Sequence, residues 1–140
     1  MFRRMTCLFA VTLIFAAVVC RAADTEKEKA AVVIAQKWLT IVDEEKYAES
    51  WKETAAYFKN AVTMEQWEQS LQAHRKPYGK LISRQEKSAS YTTTLPGAPD
   101  GQYVVIEFES SFENKKYSVE TVTPMMDKDG VWRVSGYFIK

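Results

Sequence analysis

The chain has 140 residues, a formal charge of +1, two cysteines and one histidine. That length suits one domain of about 100–150 residues, and 26% charged with 46% hydrophobic residues excludes both a disordered tail and a polytopic membrane protein. The near-neutral charge gives no reason to expect a nucleic-acid partner, and so few histidines and cysteines supply too little for a metal cage.

The first 22 residues read as an export signal. Met1-Phe2-Arg3-Arg4 is a short basic start, followed by an apolar run from Leu8 to Cys20 broken only by Thr12. A basic start, an apolar stretch of about 7–15 residues and small residues behind it make a secretory signal peptide. The run is too short for a transmembrane helix, which needs about 20 residues. Cleavage after Ala22 leaves Ala23 as the first mature residue and puts small residues, Ala22 and Cys20, at the positions that signal cleavage favours. Cutting after Ala23 would place Arg21 where Cys20 would otherwise stand. A lipoprotein signal would use Cys20, but bulky Val19 precedes it where a small residue is expected. Met5-Thr6-Cys7 do not follow Arg3-Arg4 as a twin-arginine signal requires.

Residues 1–22 are therefore expected to be a signal peptide, and residues 23–140 a single exported domain, periplasmic or secreted, with no membrane span. Cleavage removes Arg3, Arg4 and Arg21 but no acid, so the +1 becomes −2. Cys7 and Cys20 leave too. The mature domain has no disulfide, although its compartment would permit one.

Helices come first in the mature chain. Asp24 to Lys29 is a charged lead-in that begins or precedes the first helix, whose Ala31, Ile34, Trp38 and Ile41 share one face. Asp43-Glu44-Glu45 interrupts the stripe, with Asp43 a candidate N-cap for a second helix carrying Tyr47, Trp51, Ala55 and Phe58. Thr63-Met64-Glu65-Gln66 is a capping box that opens a third helix. Its apolar face is Met64, Trp67 and Leu71, and it stops before Pro77 and Gly79.

Strands follow. Leu81 to Thr94 ends in the strand formers Tyr91-Thr92-Thr93-Thr94, and Leu95 to Gly101 is a loop by its prolines and glycines. Tyr103 to Ser111 alternates, with Val104, Ile106 and Phe108 on one face and Glu107 and Glu109 on the other. After a turn at Glu113-Asn114-Lys115, Tyr117 to Met126 returns. Asp127-Lys128-Asp129-Gly130 signals a hairpin into the last strand, Val131 to Ile139. Helices followed by strands predict an α+β fold, three N-terminal helices packed on a curved antiparallel sheet of about four strands.

Five segments together carry a family resemblance: Gln36-Lys37-Trp38-Leu39, Lys46 to Trp51, Thr63 to Trp67, Leu95 to Gly101 and Val131 to Tyr137. Through them residues 30–139 resemble the domain-of-unknown-function family 4019, which implies a small exported bacterial protein and supplies no catalytic residues. More loosely, helices against a curved sheet are similar to the nuclear-transport-factor-2-like and cystatin-like cones. Many such cones hold a pocket between helix and sheet, but a fold alone does not imply function.

The chemistry-bearing residues are few. His74 continues the apolar face of the third helix near its C-terminus, where a packed or capping histidine competes with a pocket acid–base. Glu107 and Glu109 share a strand face, and Glu120 is expected across from them on the next strand. A cavity on that face would make the carboxylates an acid–base pair. A solvated face would pair them with Lys116, Arg84 or Arg133 instead. Asp127 to Gly130 does not fit a calcium loop, because Gly130 stands two positions too early and Phe138 stands where a glutamate ligand is required. Leu95 to Gly101 lacks a phosphate-binding pattern.

Four tryptophans remain, Trp38, Trp51, Trp67 and Trp132. They read as a core of large rings, or as an aromatic-lined pocket for an apolar ligand. The expectation is a non-enzymatic exported domain that binds a small ligand or an envelope protein, with no metal and no cofactor. A cone-fold enzyme using His74 or a Glu107/Glu120 pair is the alternative, and a homodimer packing through the sheet is a third. His74, Glu107, Glu120 and Arg133 are the pocket candidates. A cavity with an inward His74 or glutamate of perturbed pKa would favour the enzyme, an apolar cavity without them the ligand binder, and a filled cavity with an exposed apolar sheet patch the interaction protein.

Overall fold

The computed structural model describes residues 10–140, with side chains from Val19 onward. The basic start Met1-Phe2-Arg3-Arg4 and Cys7 lie outside the described residues. Helix α1 spans Ala10–Asp43. The sequence predicts a start near Asp24, but the stretch behind it holds no glycine or proline, and its Ala, Glu and Lys are strong helix formers. The helix therefore runs straight through Ala22 and Ala23. Its buried face is Ala31, Val32, Ala35, Trp38, Leu39 and Val42, so the predicted stripe is turned by one position and Ile34 and Ile41 flank it.

The exit from α1 is a Schellman motif. Lys46 N–H bonds the Ile41 carbonyl at 3.2 Å and Glu45 N–H bonds that of Val42 at 3.0 Å. Glu45 sits at the left-handed position, with φ 60°.

Where one second helix is predicted, two short ones form, α2 (Tyr47–Lys52) and α3 (Ala56–Ala61). The Thr54 hydroxyl bonds the Trp51 carbonyl at 2.6 Å, and Ala55 N–H leaves the helix to bond the Val134 carbonyl at 2.8 Å. A tertiary partner thus captures the backbone mid-segment. Helix α4 (Met64–His74) opens on the predicted capping box, Thr63 and Gln66 each satisfying the other's N–H. A single 3₁₀ turn, Lys76–Tyr78, leads into the sheet.

Strands β1 (Leu81–Thr92), β2 (Tyr103–Phe112), β3 (Lys115–Met126) and β4 (Trp132–Ile139) form an antiparallel meander in the order β1-β2-β3-β4. The fold is α+β, as predicted, with four α-helices among the described residues rather than three. One sheet face presents Val104, Ile106, Phe108, Val122 and Val134 to the buried stripe of α1, in one continuous core with Trp67, Leu71 and Trp132. The other face, with Glu107, Glu109, Tyr117 and Phe138, turns away from it. Pro124 is tolerated in an interior strand because the β3–β4 register shifts beside it, and Ser135 there ties its hydroxyl to the Thr123 carbonyl at 2.8 Å. Among the described residues no helix is long and apolar enough to cross a membrane.

Candidate functional site

Register decides what the glutamates can do. Phe108 pairs with Glu120, whereas Glu107 pairs with Thr121 and Glu109 with Val119. Paired residues share a face and neighbours alternate. Glu120 therefore points into the core, while Glu107 and Glu109 lie on the outer face. The expected Glu107/Glu120 pair does not form. Glu109 instead meets Lys87 at 3.7 Å on the solvated side.

Glu120 is fully buried and saturated. It accepts from Ser110 Oγ at 2.5 Å, Arg84 Nε at 2.7 Å and the Tyr137 hydroxyl at 2.5 Å. Arg84 spends its other two nitrogens on Asp43, at 2.7 and 3.0 Å. Asp43 also takes Arg75 Nη2 at 3.1 Å, and Arg75 Nη1 donates to the Gly79 carbonyl at 2.7 Å. Arg75 also lies over the Phe112 ring, 4.2 Å from its centroid. An alternating chain of two guanidiniums and two carboxylates thus joins the end of α1, the end of α4, β1 and β3, with Ser110 and Tyr137 adding β2 and β4.

Burial works against the charged form of Arg84, but its hydrogen bonds to Asp43 and Glu120 outweigh it and raise the pKa. The phenol of Tyr137 is held well above its ordinary pKa by burial first and by the charge of Glu120 second. The sequence offers Arg84 as a partner for the acids only on a solvated face, whereas it meets Glu120 in the core. Asp43, a candidate N-cap by its position, instead pairs with Arg84 and Arg75, and no local signal marks Arg75.

Trp38, Trp67 and Trp132 are buried in the core, and Trp51 packs half-buried against it. Trp38 meets Tyr137 edge-to-face and Trp67 at a tilt, with centroids 5.4 and 6.0 Å away, and Phe58 meets Trp67 edge-on at 5.2 Å. Trp38 Nε1 donates to the Ser50 carbonyl and Trp67 Nε1 to Ser50 Oγ, both at 2.9 Å. These rings and the ion chain pack between helices and sheet, and a cleft of about 390 Å³ remains between α1 and β1, lined by Val32, Val33, Glu86 and Ala89.

His74 is exposed at the end of α4. It lines a surface cleft of about 220 Å³ between α4 and β4, with Trp67, Ser70, Leu71, Tyr78, Tyr137, Phe138 and Ile139. Arg133 lies elsewhere, clamping the β3–β4 turn through Asp127 and Asp129, each at 2.9 Å. Its hydrogen bond to Asp129 raises the guanidinium's pKa and lowers that of the carboxyl. The structure therefore brings none of His74, Glu107, Glu120 and Arg133 together, although Tyr137 links the His74 cleft to Glu120. Among the described residues no three His, Cys, Asp or Glu side chains gather as metal ligands. Cys20 is an exposed free thiol.

Helices on one face of an open antiparallel meander, an aromatic core and a buried ion chain in which Arg75 Nε alone lacks a partner define a small α+β domain. Residues 34–137 match the family model described as "Protein of unknown function (DUF4019)", and the chain belongs to that family. No curated protein and no solved structure matches it. The likeness to the cone folds rests on the sequence pattern alone.

Proposed function

We propose that residues 23–140 form an exported, non-enzymatic binding domain whose ligand is another envelope protein. The observation that carries this reading is the aromatic packing between helices and sheet. Trp38, Trp67 and Tyr137 occupy the place where a cone fold would hold a small ligand. Glu120 has three donors on it and faces no open cavity, so an acid–base role would require dismantling the ion chain. Binding is left to the surface.

Export is supported by where the tertiary contacts of α1 begin. Val19 to Ala23 are exposed, and Arg21 takes part only in a local bond from Thr25. Lys27 and Glu28 are the first residues hydrogen-bonded to the sheet, both to Tyr91. Cleavage between Ala22 and Ala23 leaves all of these sheet contacts in place.

Native mass spectrometry of protein gently purified from its own cell envelope tests both parts. The expected species begins at Ala23 and carries the mass of a second protein. A bare monomer, or a retained small molecule, overturns the partner reading. A chain that keeps residues 1–22 overturns export with cleavage.

A further inference from the structure

We propose that the free edge of β4, together with the cleft it forms against α4, takes up an extended segment of the partner protein by strand addition. That segment places an apolar side chain in the cleft and acidic side chains beside it. The inference rests on the reading of this domain as a protein-binding module and names its binding mode.

Hydrogen-bond alternation shows which groups are free. Val119 and Lys140 exchange both backbone bonds, at 2.8 and 3.1 Å. Along an antiparallel ladder such pairs alternate with pairs that exchange none. In the register Glu120–Ile139, Thr121–Phe138 and Val122–Tyr137, Phe138 therefore bonds inward. The N–H and C=O groups of Tyr137 and Ile139 point away from β3, out from the sheet edge. The same edge already accepts backbone from within the protein, since Ala55 N–H bonds the Val134 carbonyl and Thr54 makes a parallel bridge to Val134. An incoming strand extends a pairing that the fold itself has begun.

The opposite edge is closed to this use. Strand β1 carries two register shifts, at Leu81/Ser83 and Glu86/Ser88, and presents the charged Glu86 and Lys87. Glu28 of α1 caps the Tyr91 N–H at 2.9 Å. Bulges, charges and a covering side chain are the devices that protect sheet edges. Between Tyr137 and Ile139, β4 has none of them.

The cleft supplies the specificity. Trp67, Leu71 and Tyr78 wall it opposite Tyr137 and Ile139, so alternate side chains of an added strand meet an aromatic pocket. Lys76, at the start of the turn that carries Tyr78, and Lys140, directly after β4, are exposed, and among the described residues neither pairs with a side-chain carboxylate. Unpaired cations call for an acidic segment. They also argue against a second copy of this chain, because pairing β4 with β4 would bring the same cations of two molecules together.

The test uses the protein purified from its envelope and an array of fluorescent hexapeptides. One strand face varies among Val, Leu, Phe and Tyr, and the other among Glu, Ser and Lys. Glu-bearing members are expected to bind best. Ile139→Pro removes an outward N–H while sparing the bonds to β3, and Ser70→Trp fills the cleft. Each should weaken binding by about tenfold, the scale of one or two hydrogen bonds. Glu107→Gln, on the outer face and away from the cleft, is the control and should leave affinity unchanged, with native tryptophan fluorescence confirming that every variant folds.

Failure to bind any member overturns the proposal, as does better binding of the Lys series or indifference to both cleft variants. A wild-type dimer lost in Ile139→Pro identifies a second copy as the occupant and also overturns it. If a co-purifying partner stays bound to Ile139→Pro and Ser70→Trp, the edge is wrong while the partner reading stands. If no partner co-purifies with the wild type, the partner reading itself falls.

Discussion

Glu120→Gln separates charge from hydrogen bonding inside this fold. Glutamine keeps the shape of the side chain, and its carbonyl can still accept from Arg84 and Ser110 while Tyr137 turns its hydroxyl toward the amide. The charge balance is what it loses. Arg75 and Arg84 face Asp43 and Glu120, and neutralising one acid leaves an uncompensated positive charge. Two unit charges about 4 Å apart interact by about 4 kcal/mol at an effective dielectric of about 20, and breaking a buried pair typically costs about 3–5 kcal/mol. With Arg84 11% and Asp43 16% exposed, solvent screens little of this, and a loss of about 3–4 kcal/mol is expected. Urea unfolding followed by tryptophan fluorescence reads it directly. Adding Arg84→Met to Glu120→Gln leaves Arg75 and Asp43 as a balanced pair. The double variant should therefore recover about 2 kcal/mol relative to the sum of the single losses. An additive cycle, or a Glu120→Gln loss under about 1 kcal/mol, would refute the reasoning.

Three further predictions use the same unfolding assay. Trp38→Ala, at a ring only 3% exposed, should cost about 3–5 kcal/mol, and a loss under about 1 kcal/mol would show that Trp38 is not core. Glu45→Gly should stabilise by about 0.5–1 kcal/mol, because the Schellman position at φ 60° suits glycine, and destabilisation would contradict this. The raised phenol pKa of Tyr137 contributes stability that is complete below about pH 10 and lost as pH rises toward the folded-state value. Tyr137→Phe should therefore be less stable at pH 8 but fall less steeply above pH 10, by about 1.4 kcal/mol per pH unit for one proton. An unchanged alkaline slope would refute that assignment.

Local signals carried most of the architecture. The capping box at Thr63, the alternation of β2 and the hairpin residues before Gly130 each act within a few residues, and each is where the sequence puts it. The break between α2 and α3 is of another kind. Tyr47, Trp51, Ala55 and Phe58 keep helical spacing across it, and what interrupts them is the Val134 carbonyl, distant in the chain and adjacent only once β4 is in place. Spacing reports which side chains face inward. It does not report a tertiary acceptor competing for the backbone.

The polar interior was hidden for a related reason. In β3 one face reads Tyr117, Val119, Thr121, Thr123 and the other Ser118, Glu120, Val122, Pro124, and strand propensity favours burying the first. The fold buries the second. Ser118 and Glu120 lie at the end of the sheet where the ends of α1 and α4 bring Asp43 and Arg75, and Arg84 reaches them from β1 across the shifted β1–β2 register. A buried glutamate is tolerable only where donors meet it, and its donors come from three different strands. Arg75 and Asp43 complete the balance from two helix ends, so no periodicity along a single strand could have chosen the correct face. In an arrangement of this kind, charge pairing between remote elements sets which strand face is buried, and hydrophobic alternation follows it.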